Sequence, residues 1–109
     1  MTSSYIVAQV PWLVKMSIHV EELEFDDENR SEIEDHNITM MQIQSVLEGS
    51  PRFFRNKRGR AGTHQMIGPD SSGIVLTVPI IETPVHGIWR PITAWPSTKA
   101  QETKWRQAK

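Results

Sequence analysis

The chain has 109 residues, 38% of them hydrophobic and 23% charged, with a formal net charge of −1. That length serves one domain and not two, and the near-neutral balance gives no bulk attraction for nucleic acid. Cysteine is absent, which excludes a disulfide framework and thiolate zinc sites and fits a reducing, cytoplasmic setting.

The N-terminal stretch SYIVAQVPWLV has no basic flank and contains Gln9 and Pro11, so it makes a poor signal peptide. No run approaches the ~20 apolar residues of a membrane span, and no membrane partner is expected. The clear pattern starts after Met16, a candidate second start. Residues 1–15 therefore read as an N-terminal extension of open role, or an extra strand, before a single domain over 16–109.

Charge is segregated along that domain. Residues 21–35 hold nine acids and one base, whereas residues 52–60, RFFRNKRGR, hold five bases and no acid. Residues 98–109 add four bases and one acid. Such asymmetry points to separate partner surfaces, although solvated faces give the same pattern. Phe53 and Phe54 lie among the bases, where aromatic rings can stack on nucleobases. The acidic segment is expected away from any RNA face.

Residues 17–25 read as a short strand. Asp26 or Asp27 suits the N-cap of a helix over 28–36 with Ile33 inward, and Asn37 suits a left-handed position after it. Thr39 caps a second helix in capping-box spacing with Gln42. Met40, Ile43, Val46 and Leu47 form its core face, and Gly49, Ser50 and Pro51 stop it. Extended pieces follow at 52–55, 62–68, 73–81 and 87–95, with PDSS as the turn between the second and third. Pro79 and Pro91 lack an N–H, so each marks a strand end, a bulge or an edge. Ser97 or Thr98 caps a last helix through Gln107. The expected architecture is α+β: a small antiparallel sheet with two N-terminal helices and a C-terminal helix, the helices against one face of a meander.

In the last strand, GIWRPITAW, alternation puts Ile88, Arg90, Ile92 and Ala94 on one face and Trp89, Thr93 and Trp95 on the other. A guanidinium on such a face needs water, a carboxylate or a phosphate. Metal chemistry finds little support. His19, His36, His64 and His86 lie far apart, and Asp26-Asp27-Glu28 lacks calcium-loop spacing. No metal or other cofactor is expected. There is no nucleophile elbow and no glycine-rich phosphate loop. Metal-independent RNA cleavage asks for less, because the RNA supplies its 2′-hydroxyl as nucleophile. The protein must orient it, move protons and stabilise the phosphorane. Arg90, His64 and Arg60 are the catalytic candidates, converging if their strands are neighbours. Arg55, Lys57 and Arg58 are candidates to grip the RNA backbone, and Trp95 to stack on a base. The bland alternatives are a structural His64, core tryptophans, and Arg90 paired with Glu82 or with the acidic helix.

The stretch FDDENRSEIEDHNITMMQIQSVLEGSP, residues 25–51, resembles the opening of the BrnT family of type II toxin–antitoxin toxins. Phe25-Asp26, Asn29, Ile33, His36-Asn37-Ile38 and Pro51 stand at its motif positions. The later order is similar too: a basic run, a strand ending in Gly68, a hairpin, an apolar strand, and a strand matched by Arg90, Ile92, Thr93 and Ala94. The resemblance covers about residues 18–107. It implies a RelE-like ribonuclease fold and metal-independent RNA cleavage that inhibits translation. It also implies a cognate antitoxin from an adjacent gene, in a hetero-oligomer or beside a homodimer. Two features depart from the family. GTHQMIG lacks the usual Glu-x-Arg, and Trp95 replaces a second arginine, so only Arg90 carries over. A catalytically inactive nucleic-acid- or protein-binding module of the same fold is the alternative.

Overall fold

The computed structural model describes residues 18–108, so the extension at 1–15 and Met16 lie outside the described residues. The local signals act where the side chains can reach. The Asp26 side chain accepts from the Asn29 N–H at 2.9 Å, while the Asn29 side chain accepts from the Asp26 N–H at 2.8 Å. This reciprocal box opens α1 (Asp27–Glu34). Asn37 follows it with φ 62°, the left-handed conformation expected there. Thr39 and Gln42 form the second box and open α2 (Met40–Glu48). Thr98 and Gln101 form the third and open α3 (Lys99–Gln107).

The strands are β1 (Glu22–Leu23), β2 (Arg52–Arg55), β3 (His64–Pro69), β4 (Val75–Glu82), β5 (Ile88–Pro91) and β6 (Trp95–Pro96). They form one sheet in the order β1-β5-β4-β3-β2, with β6 also paired to β4. In the β3–β4 turn the Asp70 side chain accepts from the N–H groups of Ser72 and Ile74, and Gly73 takes φ 90°.

Four expectations need correction, the last of them in the final strand. The sheet is mixed, because β1 runs parallel to β5 with Glu22 opposite Ile88. Of the strand expected over 17–25, only Glu22–Leu23 is extended in the sheet among the described residues, and the chain leaves the sheet after Leu23 to reach the Asp26 cap. The helices also do not share one face. Met66, Leu76, Val78 and Ile80 join Ile33, Ile43 and Val46 in the core under α1 and α2. Thr77, on the opposite face of β4, bonds Gln101 of α3 at 3.0 Å. The sheet therefore lies between two helical layers.

The prolines explain the break in the last strand. Pro79 sits inside β4, yet its carbonyl accepts from the Ile92 N–H at 2.9 Å. A strand residue points its N–H and C=O to the same side. The missing N–H of Pro79 thus faces residues 92–94, which carry no ladder of their own. The Pro91 carbonyl accepts from the Asn29 side chain, beyond the end of β1. The stretch expected as one strand over 87–95 is consequently split into β5 and β6, and strict alternation ends at Pro91.

Candidate nucleic-acid interface

Register separates two of the sequence-nominated catalytic residues. His64 stands opposite Ile80, Ile80 opposite Pro91, and Arg90 opposite Ile81. Residues directly opposite share a face and neighbours alternate. His64 thus projects to the α1–α2 side and Arg90 to the other, so the expected convergence of Arg90, His64 and Arg60 on one exposed face does not form. His64 meets Trp89 edge to face, with ring centroids 5.2 Å apart, and its Nδ1 lies 3.0 Å from the Thr63 hydroxyl. Burial pushes its pKa down, the positive charge of Arg55 adds to this, and Glu82 opposes it. His64 is therefore biased toward the neutral form.

Arg90 has carboxylate partners. It makes a two-pronged contact with Asp26, whose Oδ1 accepts from Nη2 at 3.1 Å, and Nη2 also donates to Glu28 at 3.2 Å. The Arg90 hydrogen bond and the Asn29 N–H bring the Asp26 pKa down to about 2. Asp26 in turn raises that of Arg90. Asn29 braces this corner from beneath: it is buried, and its amide donates to the carbonyls of Glu24 and Pro91, each at 2.9 Å. Of the fates open to this guanidinium, the one found is pairing with the acidic helix.

The other cations gather elsewhere. A depression of about 450 Å³ opens on the α3 side of the sheet. Arg55, Lys57, Arg60 and Lys104 supply its charge, and Gln65, Trp95 and Gln101 border it. Arg58 joins Arg55, Lys57 and Arg60 around an adjoining hollow of about 500 Å³. Among the described residues none of these five cations forms an ion pair with a carboxylate. A third hollow, of about 390 Å³, is bordered by Glu28, Glu32, Arg90 and Thr93 and meets the first at Ala61. The acids of α1 thus reach the margin of the cationic region but not its lining.

The aromatic expectation divides. Phe53 packs against the core, and Phe54 lies under Lys104, whose Nζ is 4.6 Å from the ring centroid. Trp95 is half-buried and donates its indole N–H to Gln101 Oε1 at 3.1 Å. Sequence reasoning missed Lys104, Gln65 and Gln101 as members of this region. The signal for Gln101 was readable, since it stands three residues after Thr98.

Among the described residues, no group of three or more His, Asp or Glu is placed to hold a metal ion. No helix there is long and apolar enough to cross a membrane. The chain matches no protein-family model and no curated protein.

Proposed function

We propose that this chain is an RNA-binding protein of toxin type, with a BrnT- and RelE-like fold, acting in the cytoplasm as a metal-independent ribonuclease. A cognate antitoxin would mask it. The observation that carries the reading is the set of cations around the depression, without carboxylate partners among the described residues on a chain that is slightly acidic overall. All of them are exposed, and cations gathered this closely repel one another, which binding of an external anion relieves. Phosphates fit them, because guanidinium groups match two phosphate oxygens at once. In cleavage the 2′-hydroxyl of the RNA attacks the adjacent phosphorus and the 5′-oxygen leaves, giving a 2′,3′-cyclic phosphate, while the proton of the 2′-hydroxyl passes by way of water to the 5′-oxygen. Arg60 and its neighbours would stabilise the added negative charge of the phosphorane.

A second reading is a module of the same fold that binds RNA without cutting it. Two observations favour it: Arg90 is held by Asp26 and Glu28, and among the described residues no histidine or carboxylate lines the depression. Inducing the chain in bacteria, beside a Lys57→Gln/Arg60→Gln variant at equal folded amounts, separates the two. The ribonuclease reading expects growth arrest and fragmented RNA from the parent and neither from the variant. Normal growth with salt-dependent RNA binding in vitro selects the non-cutting module. Failure of the parent to bind RNA at all removes both.

A further inference from the structure

Gln101 does more than cap α3. Its Oε1 accepts from the Thr98 N–H at 2.9 Å, the Trp95 indole N–H at 3.1 Å and the Thr77 hydroxyl at 3.0 Å. The backbone and indole groups can only donate, so the atom they meet must be the amide oxygen and the orientation of the amide is chemically fixed. The capping role needs only the first of these bonds. The other two tie the amide to β4 and β6. Its Nε2 is left with no hydrogen-bond partner among the described residues, on a side chain that borders the depression. The same bond pins the indole of Trp95, which borders the depression beside it.

From this arrangement we infer that Trp95 and Gln101 form a nucleobase subsite, which makes the ligand of the depression single-stranded RNA with one base unstacked from its neighbours. The inference rests on the depression being the RNA site and adds what part of the RNA is read there. The base lies against the Trp95 ring, an acceptor on its edge takes the Gln101 amide N–H, and the flanking phosphates meet Arg60 and Lys104. A ring and a donor held in place before binding cost little ordering when a base arrives. A duplex keeps its base faces stacked and hides them from such a ring.

The test is fluorescence anisotropy with three labelled RNAs: a single strand, the same sequence as a duplex, and the single strand with abasic positions. Two variants accompany the parent. Gln101→Glu keeps an oxygen for the three donors and replaces the free NH2 by a second oxygen. Gln107→Glu places the same extra negative charge on the exposed end of α3, away from the depression. The parent should bind the intact single strand about tenfold more tightly than the duplex or the abasic strand. Gln101→Glu should lose most of that preference, and Gln107→Glu should keep it. Equal binding of all three RNAs by the parent overturns the subsite and leaves the cationic RNA grip standing. So does a preference that both variants retain alike. No binding of any RNA by the parent removes the RNA reading and the subsite together. If Gln101→Glu does not fold, as judged by its circular dichroism melt, the parent's ranking of the three RNAs decides.

Discussion

Two neighbouring regions of the molecule use the same functional group to opposite ends. On one margin Arg90 is gripped by Asp26, reaches Glu28 and is braced by the buried Asn29. Beneath α3, Arg55, Lys57, Arg60 and Lys104 surround a hollow with no carboxylate in its lining among the described residues. A paired guanidinium fastens an element, because its charge is already answered; an unpaired group of cations costs repulsion and keeps its charge available to a ligand. Arginine by itself says little about function. What distinguishes the two regions is where the nearest acids fall, and that depends on register.

The contrast between the regions is tested most severely at the brace. Asn29→Ala leaves the Glu24 and Pro91 carbonyls and the Asp26 N–H without their partner and opens a small void. It should cost about 2–3 kcal/mol of stability, read as a lower urea midpoint at unchanged slope. RNA binding measured well below the midpoint should stay as in the parent. If Asn29→Ala weakens RNA binding while the protein remains folded, the two regions are not separate.

The converse experiment acts on the open cations. Lys57→Gln with Arg60→Gln should lower RNA affinity about tenfold and make the salt dependence shallower by ~0.7 for each phosphate that no longer meets a cation. Folding stability should move by no more than about 0.5 kcal/mol, since neither side chain pairs with an acid. Arg90→Gln should behave in the opposite way, with lower stability and unchanged affinity. A loss of affinity on Arg90→Gln would mean that RNA displaces Asp26, and the margin would then belong to the binding region.

How much of this was legible in the chain follows from the range of each interaction. The three caps, the left-handed Asn37 and the Asp70 turn depend on bonds within five residues, so residue type and spacing reveal them. Pro79 and Pro91 were readable locally as a strand end, a bulge or an edge, but the split of 87–95 into two strands depends on how they face each other across the sheet. The parallel pairing of Glu22 with Ile88 leaves no local mark. Nor does the seat of α3 on the far face, fixed by Gln101 meeting Thr77 across 24 positions. The site divides in the same manner. Arg55, Lys57, Arg58 and Arg60 are adjacent in the chain and were found together, whereas Lys104 joins them only through the fold. Arg90 finds Asp26 across 64 positions, so the acidic helix was a nameable partner but not a derivable one.

The margin also carries its own pH signature. The Asp26 pKa falls from 3.8 to about 2 on folding, chiefly through the Arg90 hydrogen bond. A carboxyl with a depressed native pKa stabilises the fold above its unfolded value, and this stabilisation is lost as acid is added. The parent should therefore lose stability between pH 3.8 and about 2. Asp26→Asn keeps a capping oxygen and should flatten that part of the profile. An unchanged acid limb would assign the loss to other carboxylates.

The smallest expected effect concerns His64, which the register turns away from the depression while its cross-strand neighbour Arg55 borders it. Burial first, and then the charge of Arg55, hold its native pKa below 6.5. As pH falls through 6.5 the unfolded chain takes up a proton before the native one does, so stability declines until native His64 also protonates. His64→Gln should remove that shallow slope. Arg55→Gln should move the His64 titration, followed by NMR, part of the way back toward 6.5, and Glu82→Gln should move it further down. These shifts probe how far the two regions are independent, because Arg55 stands opposite His64 in the register and also borders the depression. If the His64 titration ignores Arg55→Gln while RNA binding still weakens, the Arg55 charge belongs wholly to the depression, and the two regions are electrostatically separate.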